Sequence, residues 1–185
     1  VGNCHSLPPQ LFARQSVSGD ALAALRGETI QKYLPPPRLV LTVSPVRHVA
    51  DGLDGNSLSK AALRIASARL AEQFERVNYF PSFEIMNDDL RDYRFYAEDM
   101  VHPSSIAIDY IWERWCEWAI APSTQKAMHE IERLWRAAHH RPSDPESEDH
   151  REFCRKMCER IESLSAIYPD VDWEALRPFF ALEHK

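Results

Sequence analysis

An aspartate stands three residues ahead of a histidine at Asp99-Met100-Val101-His102, and Pro103 follows directly. Proline biases the residue before it away from the helical region, which holds His102 at the lip of a helix that Pro103 can start. From there the Asp99 carboxylate reaches one ring nitrogen and leaves the other facing a substrate, the arrangement of a general base with its orienter. A helix N-terminus disfavours an imidazolium, so the carboxylate also holds the charge that appears when His102 takes a proton. Asp ahead of a helix is also an ordinary capping residue, and a helix-start turn is the structural alternative. The surrounding sequence has to choose between the two.

Other residue groups invite chemistry with less support. Arg47, His48, Arg91 and Arg94 suit contact with an anionic or sugar substrate, and equally Arg91 and Arg94 suit pairing with Asp88, Asp89, Asp92 and Glu98 to brace a loop. His150, Cys154 and Cys158 recur every four residues on one helical face, which is a partial metal set of three ligands at best; Cys is as often a small buried hydrophobe. The stripe Tyr110, Trp112, Trp115 and Trp118 reads as core and hairpin contact before ligand stacking.

Composition narrows the classes. Across 185 residues, 44% hydrophobic and 27% charged residues describe a globular chain. A net charge of −6, with Lys and Arg scattered among Asp and Glu, leaves no basic face to track a phosphate backbone, so nucleic acid is not an expected partner. Four cysteines, Cys4, Cys116, Cys154 and Cys158, lie far apart except for the last two and form no dense framework, which fits reduced thiols in a cytoplasmic location. No run of about 18 apolar residues occurs and no leader opens the sequence, so no membrane association is expected. An opening at Val1 without Met leads us to expect residues upstream.

The elements that must position the pair follow from pattern. Ala21, Leu22, Leu25, Ile30 and Leu34 predict a helix interrupted by Gly27 and ended by Pro35-Pro36-Pro37. Leu39-Val40-Leu41-Thr42-Val43 predicts a strand buried on both faces of a parallel sheet. Leu58, Ala62, Ala66, Leu70 and Phe74 predict an amphipathic helix, and Val77 to Phe80 the next strand. Strand, helix and strand at this spacing make a crossover unit of an α/β layer fold. An irregular polar stretch from Asn87 to Val101 precedes a helix using Ile106, Ala107, Tyr110, Ile111, Trp115 and Trp118. A helical hairpin follows, with Ala127, Ile131, Leu134 and Ala138 facing Phe153, Met157, Ile161, Leu164 and Tyr168 across the polar connection Pro142 to Asp149.

Several ordered blocks are familiar together. They are Thr42-Val43-Ser44-Pro45-Val46-Arg47-His48, Asn56-Ser57-Leu58-Ser59-Lys60, Tyr79-Phe80-Pro81-Ser82-Phe83-Glu84-Ile85-Met86, and Asp89-Leu90-Arg91-Asp92-Tyr93-Arg94-Phe95-Tyr96 through His102-Pro103-Ser104. With Asn3-Cys4-His5 and the helix around Ala107-Ile108-Asp109-Tyr110-Ile111-Trp112, this set resembles the GSCFA family, and the likeness thins beyond about Trp118. The family is similar to the SGNH hydrolases, which take a serine from an early block, an oxyanion-hole asparagine from a middle block and an Asp-x-x-His pair near the end. The resemblance therefore implies Asp99 and His102 as the catalytic pair and Asn3 as the amide donor to the oxyanion. The early Gly-Ser-Cys-Phe-Ala block is absent from these residues. Ser44 precedes a proline, and Ser57 and Ser59 sit as helix-start residues, so none has the strand-turn-helix setting of a nucleophile.

Together these readings lead us to expect that residues 1–120 form the later part of a GSCFA/SGNH-like hydrolase domain, a three-layer α/β/α arrangement with a parallel sheet, and that residues 121–185 form a helical hairpin extension. The resemblance implies hydrolysis or transfer of an acyl group, in which an upstream serine would attack, His102 accept its proton, Asp99 orient His102 and Asn3 stabilise the oxyanion, with Arg47, His48 and Arg94 expected on the substrate side and no cofactor required. The resemblance implies O-acyl esters of carbohydrates or small molecules as substrates, and this chain alone is expected to be inactive. A sheet cut between strands leaves an open edge and an uncovered apolar face, so poor solubility or self-association of the isolated chain is expected. The alternative is a non-catalytic interaction module that binds a partner through the helical hairpin.

Overall fold

The computed structural model describes residues 11, 15–33 and 38–181. The chain divides into two compact units, Val1–Trp115 and Cys116–Lys185. The described residues are mostly helical, with one small parallel sheet, an α/β composition.

In the first unit, α1 (Gly19–Tyr33) and α2 (Gly52–Gln73) flank β1 (Leu39–Leu41), and β2 (Val77–Tyr79) follows α2. The strands pair in parallel, with Leu39 opposite Val77 and Leu41 opposite Tyr79. Ala23, Ile30, Ala66, Leu70 and Val77 are buried together, and Leu22, Leu39, Leu41 and Phe74 pack against them. Gly27 does not interrupt α1. It is buried inside the helix, where a Cβ would lie 3.6 Å from Phe74 and 3.7 Å from Leu70. Gly19 is tighter still: a Cβ there would come within 2.6 Å of Ile65 Cβ, so α1 approaches α2 through the absence of a side chain. The prolines expected to end α1 lie outside the described residues.

Two expectations for this layer need correction. β1 is shorter than Leu39 to Val43 and is not buried on both faces: Val40 is 37% exposed while Leu39 and Leu41 meet the helices. With two strands in the described sheet, alternate side chains point to opposite faces, and one face here carries the apolar helices. On α2, Leu58 is exposed while Ala66 and Leu70 are buried. A spacing of four residues overshoots a helical turn by about 40° at each step, so a run read at that spacing drifts off the buried face.

Beyond β2 the chain turns through α3 (Ser82–Glu84), a π turn (Ile85–Asp89) and a 3-10 turn (Tyr93–Phe95) into α4 (Ser105–Ala119). Met86, Leu90 and Ala107 form a second small core here, joined by Phe95, Tyr96, Tyr110 and Ile111. Trp115 packs edge-on against Phe80 with centroids 5.0 Å apart. The aromatic stripe is only partly core, since Trp112 is 50% exposed.

The second unit is the predicted hairpin, α5 (Pro122–Ala138) and α6 (Glu148–Ile167). Pro122 takes the first turn of α5, and Ser147 caps α6 by accepting the N–H of His150, so Glu148 and Asp149 belong to the helix rather than to the connection. Leu134, Cys154, Ile161 and Leu164 are buried with Trp173, Leu176 and Phe180, and Ile131, Ala138, Phe153, Met157 and Tyr168 pack around them. The last three buried residues come from a segment after α6 that folds back over the hairpin and is anchored by Trp173 Nε1–H donating to Tyr168 O at 2.9 Å. No helix among the described residues is long and apolar enough to cross a membrane.

Candidate active site

Asp99 and His102 lie on a loop, residues 97 to 102, whose base is an antiparallel bridge between Tyr96 and Pro103. The bridge is extended by Ala97 N–H donating to His102 O at 2.8 Å and Ser104 N–H donating to Phe95 O at 2.8 Å. Ser104 then accepts from the N–H of Ala107 as α4 begins. Pro103 takes the bridge position after His102, and α4 starts two residues beyond it at Ser105, not at the proline as the sequence pattern suggests.

His102 Nδ1 and Asp99 Oδ2 are 2.6 Å apart. The other carboxylate oxygen, Oδ1, accepts the backbone N–H groups of Val101 and His102, each at 2.9 Å. The N–H of His102, then its ring, then the N–H of Val101 hold the Asp99 carboxyl well below the usual carboxylate range, at about 2. Asp99 is therefore both the cap of this turn and the partner of the imidazole. Both side chains are open to solvent, at 60% for His102 and 49% for Asp99. Between them Met100 has φ 59°, a left-handed conformation that a side chain of this size adopts rarely.

Much of the remaining motif sequence is tied together by hydrogen bonds among its own segments. After β1, Thr42 donates to Phe80 O at 2.8 Å and meets the Ser82 hydroxyl at 2.6 Å, while buried Ser82 donates to Val43 O at 3.0 Å. Lys60 of α2 is buried, and its ammonium donates to Ser44 O at 2.5 Å and Val46 O at 2.9 Å; burial lowers its pKa. Asn56 accepts the N–H of His48 at 2.8 Å. Glu84 accepts from Tyr79 Oη at 2.8 Å and from Arg64 Nε at 2.7 Å, and burial first, then Glu84, push the Tyr79 phenol up beyond its ordinary range.

The three residues expected on the substrate side separate. Arg47 reaches the loop: its Nη1 donates to Met100 O at 3.1 Å and its backbone N–H to Val101 O at 3.2 Å, while its guanidinium lies 4.0 Å from the Tyr96 ring centroid. His48 turns to Asp51, 3.1 Å away. Arg94 is exposed, 3.8 Å from Asp92, and Arg91 stands 3.9 Å from Asp88, so the loop-bracing pairings read from the sequence are present at long range. Asn3 lies outside the described residues. Ser44 accepts from the N–H of Val46 in a local turn.

In the second unit Cys154 is buried, 3.5 Å from His150 Nε2, and burial pushes its thiol pKa up, with Cys158 adding to the shift. Among the described residues no group of three or more His, Cys, Asp or Glu side chains is placed to hold a metal ion.

Lys60 and Met100 were not singled out by sequence reasoning. A signal existed for the first: Lys60 stands seven residues before Ser67 and ten before Leu70, on the buried stripe of α2, where a lysine needs acceptors for its charge.

An α/β chain with an Asp-x-x-His pair on a braced surface loop is the class this architecture defines. The chain belongs to the GSCFA family: the family model matches residues 1–115, and that of the GSCFA domain protein, C-terminal domain, matches residues 131–183. The likeness therefore does not fade into generic helix beyond Trp118, because most of the hairpin unit is a family domain in its own right. No curated protein and no solved structure matches the chain.

Proposed function

We propose that Asp99 and His102 are the orienter and general base of an SGNH-type ester hydrolase or acyl-transfer site. The observation that carries this reading is the 2.6 Å contact of His102 Nδ1 with an aspartate whose other oxygen is saturated by two backbone N–H groups. A carboxylate held that way stays ionised, fixes the Nδ1–H tautomer and leaves Nε2 of an exposed ring to act as base. A serine hydroxyl attacks the acyl carbonyl and its proton passes to Nε2; the ester C–O bond breaks and Nε2 returns the proton to the departing alkoxide. Water or an acceptor hydroxyl, deprotonated by the same nitrogen, then releases the acyl group from the serine. Asn3 is the proposed oxyanion donor. The naming Gly-Ser-Cys-Phe-Ala block is absent from residues 1–185; where the gene encodes residues ahead of Val1, a serine there is the proposed nucleophile.

In this reading β1 and β2 are later strands of a three-layer parallel sheet, the substrates are O-acyl esters of carbohydrates or small molecules, and the isolated chain self-associates through its sheet edge. The four cysteines form no dense framework along the sequence, which favours a reducing, cytoplasmic setting. The test is hydrolysis of p-nitrophenyl acetate by the chain and by its upstream-extended product, each beside its His102→Ala variant. Activity in the extended form that vanishes with His102 supports the enzyme.

The second reading, a non-catalytic module, draws on the hairpin unit. Trp135 stacks on His139 at 5.7 Å and His139 faces Phe179 at 5.4 Å, with Trp135 39% and Phe179 48% exposed, an aromatic surface suited to a partner. Folded protein with no His102-dependent hydrolysis in either form favours it.

A further inference from the structure

We propose that Arg47 is a positioning residue for the Asp99–His102 pair, acting through the carbonyl groups of Met100 and Val101; the inference rests on the reading of that pair as base and orienter. The loop carrying the pair is exposed, and its middle residue holds φ 59°, a conformation that costs free energy unless neighbouring contacts impose it. One residue makes three such contacts. The Arg47 guanidinium takes Met100 O at 3.1 Å, its backbone N–H takes Val101 O at 3.2 Å, and its guanidinium plane rests over Tyr96 at the loop base, with Tyr93 at 5.3 Å on the same group. Arg47 thereby joins the tip, the returning limb and the foot of the loop.

Arg47 is itself held from both sides. Lys60 binds the carbonyls of Ser44 and Val46 just before it, and Asn56 binds the N–H of His48 just after it. A continuous set of hydrogen bonds runs from buried Lys60 of α2 through the post-β1 segment and Arg47 to the two residues between Asp99 and His102. The carbonyls of Met100 and Val101 are fixed by Arg47, which keeps the N–H groups of Val101 and His102 aimed at Asp99 Oδ1. Lysine cannot substitute, because a point ammonium offers no planar group that stacks on Tyr96 while a nitrogen reaches Met100 O.

A positioning role and direct substrate contact differ in kinetics. A cation that binds substrate leaves kcat and raises KM when removed, whereas a residue that aligns the base lowers kcat and leaves KM. In the natural full-length protein, Arg47→Ala and Arg47→Lys are expected to lower kcat for p-nitrophenyl acetate about 10- to 100-fold with KM within about twofold. Two readouts are independent of turnover: carbon-detected titration of Asp99 moves up from about 2 towards the ordinary carboxyl value, and amide exchange quickens at Val101, whose N–H shares a peptide plane with the Met100 carbonyl that the side chain releases. A raised KM at unchanged kcat overturns the proposal, as does an Asp99 titration and amide exchange identical to wild type. If wild-type protein shows no His102-dependent hydrolysis, the catalytic reading fails, and the titration and exchange still decide whether Arg47 sets the geometry of the pair.

Discussion

Asp99→Asn separates the two roles of one carboxylate. The asparagine Oδ1 still accepts the N–H groups of Val101 and His102, which stand 2.9 Å from Asp99 Oδ1, so the turn through Met100 keeps its shape. Its NH2 replaces the oxygen that lies 2.6 Å from His102 Nδ1, and a donor there forces Nδ1 to accept. The ring proton moves to Nε2, the atom that must be free to take one. In a buried serine-protease triad the equivalent exchange costs about 10⁴ in turnover. Here the two side chains are 60% and 49% exposed, and water competes for both, so we expect a loss of about 10²- to 10³-fold in kcat/KM. The assay is p-nitrophenyl acetate hydrolysis by the natural full-length protein, with urea unfolding run alongside. Acid adds a second check. Because the folded carboxyl sits at about 2, below its unfolded value, the stability it contributes is complete above about pH 4 and is lost as pH falls towards 2. The asparagine variant lacks that titration, so any difference in urea midpoint from wild type narrows across this interval. Hydrolysis kept within about threefold of wild type, at an unchanged urea midpoint, refutes the argument.

Three further substitutions test the frame. Ser82→Ala removes the hydroxyl donor of the Val43 carbonyl in a buried setting, while Thr42 keeps its bond to Phe80 O, and is expected to cost about 1–3 kcal/mol in urea unfolding. Lys60→Met removes the shared donor of Ser44 O and Val46 O; exposed Ser44 regains water and the ammonium's desolvation is relieved, so the net loss is about 2 kcal/mol, with activity falling alongside. Ile161→Ala empties a site at 0% exposure in the hairpin core and should cost about 2–5 kcal/mol, read from the fluorescence of Trp173 in the same cluster.

The residues of the pair were readable because local chemistry fixes them: a proline sets the backbone of His102, and an aspartate three residues earlier is within reach of both its N–H and its ring. The hairpin core was readable for a similar reason, since Leu134, Ile161 and Leu164 follow the period of helices with one buried face. What stayed hidden depended on contacts distant in sequence. Arg47 read as a free cation for substrate, and only the folded chain brings it to Met100, 53 residues on. Lys60 was given no role of its own beyond its place in a family block, because its acceptors are backbone carbonyls, which no residue type announces. Trp173, Leu176 and Phe180 went unassigned because their cover for the hairpin comes from irregular chain without helical period. β1 was misjudged in burial because a short β-branched run says that a strand packs, but not on how many sides.

The central claim, that His102 activates a serine under the direction of Asp99, is tested most directly by covalent trapping. A fluorophosphonate probe is reacted with the natural full-length protein and with its His102→Ala variant, and the labelled residue is mapped by peptide mass spectrometry. The account predicts one labelled serine, modified at least about 100-fold more slowly without His102. A serine labelled equally fast in both proteins, or no labelled serine in folded wild-type protein, contradicts it.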